Sequence, residues 1–138
     1  FAYLFFSLPI AILMARRIEK NYFIDGGLII IVASMSMAMA ADAFRAAANL
    51  SDVANAIAVT AYSSTILGVS ISGIGIFRTN IFPKWLSGLL ILVTAIGFIL
   101  LATSEPSAIQ TNVIILPFLL AFHVILIILG IFMYRRID

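Results

Sequence analysis

Cysteine is absent from this chain, which excludes a disulfide framework and any thiolate metal site within it. There is one histidine, His123, so a zinc centre of the usual His/Cys type cannot be assembled from these residues alone. Charge is scarce. Only 10% of the 138 residues are Asp, Glu, Lys or Arg, against about 25% in an average soluble domain. A soluble catalytic or nucleic-acid-binding domain is therefore not expected. The pI of about 9.3 points the same way on inspection, because the basic residues sit in short clusters between apolar runs and form no continuous face. Missing too are a Ser/His/Asp set, paired acids at credible spacing and a glycine-rich phosphate loop. "GVSISGIG" is glycine-rich but falls within an apolar run, where it reads as helix packing.

What is abundant is apolar sequence: 64% of the chain is hydrophobic, in runs of membrane-spanning length. The expected fold is all-α, a polytopic transmembrane helix bundle of about five spans with antiparallel neighbours. It forms one domain over residues 1–138, with helices at about 1–15, 26–48, 52–77, 83–102 and 113–134. Asp25 is expected to cap the second, Ser51 or Asp52 the third, and Pro83 to stand in the first turn of the fourth. Pro9 is the expected kink of the first segment. "TSEPS", residues 103–107, reads as a turn. The first run, "FAYLFFSLPIAILMA", has 15 residues before Arg16 and would span only about 22 Å, short of a hydrocarbon core of ~30 Å. The chain is accordingly read as lacking its true N-terminus. A signal peptide is disfavoured because "RRIEK" follows the apolar run instead of preceding it.

The basic residues give an orientation. Arg16, Arg17 and Lys20, then Arg78 and Lys84, then Arg135 and Arg136 all fall on one side of an alternating five-span layout, leaving Arg45 alone on the other. By the positive-inside rule the C-terminus and the 16–20 loop are expected in the cytoplasm, with Tyr22, Trp85 and Tyr134 at that interface. Integral membrane localisation, in a prokaryotic plasma membrane, is the expectation.

Three features invite a functional reading. "AADAFRAAANLSD", residues 40–52, places Asp42, Arg45, Asn49 and Asp52 at helical spacing between two nearly uncharged runs. Asp42 and Arg45 are three apart and Arg45 and Asn49 four apart, so each pair shares a face. One reading is an interfacial ion pair at the end of a helical hairpin, with Arg45 snorkelling outward. The other is a polar site for an anionic lipid head group, a quinone-like carbonyl or a partner's carboxylate, completed by Asn55. The second feature is a row of small residues at every fourth position: Ala56, Thr60, Ser64, Gly68 and Ser72. It is expected to be a helix-packing ridge against the preceding helix, which offers Ser34 with Ala38 and Ser36 with Ala40. A polar conduit along Thr60, Ser63, Ser64 and Ser72 is the sharper alternative. The third is His123, about 15 Å from Val113 and so near the midplane. Ionisable residues there are functional candidates by default. A haem-ligand role is conceivable but needs a second ligand, such as Met35 or a histidine from another chain. A hydrogen bond to a Ser or Thr of a neighbouring helix is the commoner arrangement. Met35, Met37 and Met39 read as flexible packing, and no metal site is expected.

"ADAFRAAAN", and then "LGVSISGIGIFRTNIFPKWLSGLLILVTAIGF", resemble an uncharacterised family of small prokaryotic multi-helix membrane proteins. The matching positions are Phe44 and Arg45 of an A-x-F-R motif, then Arg78, Phe82, Pro83, Lys84, Leu86 and Ser87 of a basic residue followed by F-P-[RK]-x-L-[GS]. The final "LPFLLAFHVILIILGIFMYRRID" is loosely similar to that family's last helix. The resemblance spans residues 30–138. It implies a helical membrane architecture with one more helix upstream, and no particular chemistry. His123 is not part of it.

The functional expectation is a non-catalytic accessory or structural subunit of a larger membrane complex, of respiratory, photosynthetic or monooxygenase type. Its partners would be other integral-membrane subunits and membrane lipids, not nucleic acid. No cofactor is expected beyond the remote haem case. The alternative is a stand-alone small transporter or sensor, for which Pro9 and Pro117 are the only candidate helix breaks.

Overall fold

A computed structural model describes residues 21–47, 50–80, 82–103 and 115–135. These form four α-helices: α1 (Tyr22–Ala47), α2 (Ser51–Thr79), α3 (Lys84–Thr103) and α4 (Ile115–Arg135). There is no strand among the described residues. α1, α2 and α3 are each long and apolar enough to cross a membrane. The expected first segment, 1–15 with Pro9, lies outside the described residues, as do Arg16, Arg17, Lys20, Asn49, most of the 103–107 turn and Arg136.

The helix ends differ from the expected caps. α1 begins before Asp25 because Asn21 caps it: its Oδ1 accepts from the Phe23 N–H at 3.0 Å, and its carbonyl accepts from Ile24 and Asp25. Asp25 instead lies in the first turn, where a carboxylate favours the positive end of the helix dipole. Ser51 and Asp52 are already helical, and the N-cap is Leu50, whose carbonyl accepts from Ala54 at 3.0 Å without a side-chain cap. Pro83 stands one residue before α3, its carbonyl accepting from Leu86 and Ser87 at 3.0 and 3.3 Å. α2 ends at Asn80 in the left-handed region, φ 55°, which a short polar side chain tolerates.

Successive helices are neighbours: α1 packs on α2, α2 on α3 and α3 on α4. α2 is the central element. One side of it, Ala54, Ala58, Ala61, Thr65, Gly68, Ser72 and Gly75, is buried at alternating steps of four and three. The side of α1 that meets it follows the same rhythm through Ile24, Gly27, Ile31, Ser34 and Ala41. Contacts run in opposite order along the two helices: Ile24 meets Gly75, Gly27 meets Ser72 and Gly68, and Ile31 meets Gly68. The approach is close enough that a methyl group on Gly27 would overlap the Ser72 hydroxyl and the Gly68 carbonyl.

α3 buries Ser87, Leu90, Thr94, Gly97 and Leu101 in the same rhythm. Gly97 makes room for the Phe118 ring of α4. The main core joins Ile24, Ile31 and Met35 of α1, Val69 and Ile76 of α2, Leu86 and Leu90 of α3, and Phe122, Ile125, Leu126 and Leu129 of α4. A smaller cluster, Ile66 with Leu101, is flanked by Tyr62, Phe98 and Phe118. Of the three neighbouring methionines only Met35 is buried; Met37 and Met39 are exposed.

Candidate functional site

The polar stretch at the α1–α2 end forms one connected group. Arg45, in the last turn of α1, donates from Nη1 to Asp42 Oδ1 at 3.1 Å and from Nη2 to Asn55 Oδ1 at 2.8 Å. The first contact is an i,i+3 ion pair on one helix face. The second crosses from α1 to the second turn of α2, so one guanidinium ties together the two helices that the 48–50 link joins. Arg suits this position because its planar fork presents several donors at fixed angles. The side chains of Arg45 and Asp42 are 40% and 35% exposed, and the pair therefore contributes little to stability, about 0–1 kcal/mol. Two of the guanidinium's five N–H donors are engaged in these contacts, and the group faces outward. Asp52 is exposed in the first turn of α2, and Asn49 lies outside the described residues. The structure thus brings Asp42, Arg45 and Asn55 together.

The row Ala56, Thr60, Ser64, Gly68 and Ser72 divides along its length. Gly68 and Ser72 lie buried in the α1–α2 seam, Ser64 is half-buried, and Ala56 and Thr60 are exposed. Steps of four residues advance about 400°, so each step rotates about 40° past the last. Over four steps the row leaves the interface. Steps of seven drift only about 20° backwards, which is why Ala54, Ala61, Gly68 and Gly75 stay on it. Sequence spacing held this signal in the alternating four-three pattern of small residues. The conduit reading fails on the same geometry. Ser63 and Ser72 are nine residues apart, about half a turn out of phase. The Thr60, Ser63 and Thr65 hydroxyls donate to carbonyls three or four residues back on their own helix.

His123 is half-buried near the middle of α4, with its ring edge-on to Phe122 at 5.6 Å between centroids and 79° between planes. Its helix packs against α3.

The opposite end of the α1–α2 pair carries a second polar group. The Arg78 guanidinium lies 4.5 Å from the centroid of the Phe23 ring, and the Lys84 ammonium 4.6 Å from that of Phe77. Lys84 Nζ also donates to the Phe77 carbonyl at 2.9 Å, satisfying a free acceptor in the last turn of α2. The F-P-K-x-L-S motif explains itself here. Phe82 and Leu86 are buried and anchor the link, Pro83 supplies the accepting carbonyl, and Ser87 packs with no exposure.

No protein-family model, curated protein or solved structure matches this chain. The resemblance carried by Phe44, Arg45 and residues 78–87 rests on those motifs alone.

Proposed function

We propose that this chain is a non-catalytic integral-membrane subunit of a larger complex, built as about five spans with antiparallel neighbours in a prokaryotic plasma membrane, its C-terminus and 16–20 loop in the cytoplasm. One observation carries the subunit reading. α1 has a second row of small residues, Ala33, Ser36, Ala40, Ala43 and Ala47, all exposed and spaced by alternating threes and fours. It lies about half a turn from the row that meets α2. Lipid chains gain nothing from such a face, whereas a helix backbone can approach it closely, and close packing is what joins helices inside a bilayer. The occupant proposed is a transmembrane helix of a different subunit; Arg45 lies on the α2-facing side of α1, about 160° from that face, and offers its remaining donors to a partner carboxylate beyond the helix end.

The test is native mass measurement after mild-detergent extraction from source membranes, with co-migrating chains identified. The expected result is a stoichiometric partner that is retained by a Leu92→Ala control and lost on Ala40→Leu, with Arg45→Ala weakening its retention. A monomer or homo-oligomer in the wild type, or a complex indifferent to Ala40→Leu, would overturn the reading and shift attention to a transported or sensed ligand.

A further inference from the structure

We infer that the end of the bundle where α1 begins and α2 meets α3 is a binding site for the phosphate head group of an anionic phospholipid. Two cations, Arg78 and Lys84, stand there on the surface. Both are held in place by aromatic rings, Phe23 and Phe77, and neither makes an ion pair among the described residues. The only described acid at this end is Asp25, two residues beyond Phe23 and so about 200° around α1 from it. Lys84 uses one donor on the Phe77 carbonyl, leaving two; Arg78 makes no hydrogen bond among the described residues. The group is preorganised, and among the described residues no carboxylate pairs with it.

A second, independent feature says what kind of phosphate fits. Directly after Lys84 begins an exposed apolar row on one face of α3: Trp85, Leu89, Leu92, Ile96 and Ile99, spaced by fours and threes. It runs for about 21 Å from the charged end, longer than one leaflet's share, about 15 Å, of the hydrocarbon core. Arg78 likewise heads a half-buried row on α2, Ile74, Ile71 and Leu67. Free phosphate would use only the cations. A phospholipid uses both parts at once, with its head group at Arg78 and Lys84 and its chains along the apolar rows, beside a Trp ring suited to the head-group boundary. This inference does not depend on the subunit reading.

The experiment titrates the delipidated full-length protein in detergent with phosphatidylglycerol, with phosphatidylcholine of the same chains, and with inorganic phosphate, and counts bound lipids by native mass measurement. Phosphatidylglycerol is expected to be retained preferentially, and phosphate at equal concentration not to displace it. Retention should fall about fivefold for Arg78→Gln or Lys84→Gln and about twenty-five-fold for both, taking each surface charge at its usual worth. Arg78→Lys should retain most of the binding. Equal retention of the two lipids by the wild type overturns the inference whether or not the variants fold. So does displacement by phosphate, or undiminished retention in a double variant with an unchanged helical spectrum.

Discussion

Ser72 and Ser87 are buried at 1% and 0% exposure, and neither hydroxyl has a hydrogen-bond partner among the described residues. The buried hydroxyls of Thr65 and Thr94 behave differently: each donates to the carbonyl four residues back, at 2.8 and 2.6 Å. A buried hydroxyl without a partner costs about 1–3 kcal/mol. Ser87→Ala is therefore expected to leave stability unchanged or raise it by about 1 kcal/mol, whereas Thr94→Val, which removes a satisfied donor, should not raise it. Denaturation midpoints in a fixed detergent decide the matter, and a clear loss in Ser87→Ala would mean that the hydroxyl has a partner in the membrane. Arg45 belongs at the same scale. Its exposed pair with Asp42 is worth about 0–1 kcal/mol, so Arg45→Ala should unfold at nearly the wild-type midpoint. A large loss of stability would make Arg45 a strut of the hairpin and remove the basis for reading it as a partner contact.

At the scale of helices, the seam between α1 and α2 is where glycine matters most. A methyl group on Gly68 would stand 2.8 Å from the Gly27 carbonyl and from the Ile31 side chain, too close without a backbone shift; one on Gly26 would meet nothing within 4 Å. Gly68→Ala is therefore expected to destabilise by about 1–3 kcal/mol. Gly26→Ala should stabilise by roughly 0.5–1 kcal/mol through helix propensity. Similar midpoints for the two would show that the seam is looser than drawn. This contrast also marks what could be read without coordinates. The four helices described fall within a few residues of their sequence positions, because long apolar runs interrupted by Asn, Asp, Pro and basic residues leave few other arrangements. The caps were harder. Asn21 lies upstream of the apolar run that drew attention to Asp25, and Leu50 caps with its backbone, which leaves no side-chain signal. The seam was half legible. Its chemistry, small residues, is plain in the sequence, but the buried positions follow a repeat of seven and not a repeat of four. Hence Gly68 and Ser72 lie on both patterns, while Ala56 and Thr60 leave the interface.

For the molecule as a whole, the two ends of the α1–α2 pair are chemically unlike. One has Arg78 and Lys84 stacked on aromatic rings; the other has Arg45 offset by Asp42 and bonded to Asn55. By the positive-inside rule that difference predicts an orientation, with the Arg78 and Lys84 end on the cytoplasmic side. Arg45, a single basic residue in the last turn of α1, works against the rule only weakly. The absence of cysteine makes the orientation directly measurable, because any introduced thiol is the only one in the chain. Ser51 is exposed at the start of α2 and Thr79 half-exposed at its end. In intact cells a membrane-impermeant maleimide should label Ser51→Cys at once and Thr79→Cys only after the membrane is opened. The reverse pattern would invert the orientation and put the proposed head-group site in the outer leaflet. Labelling of both from outside would deny that α2 crosses the bilayer, and with it the spanning bundle on which the subunit proposal rests.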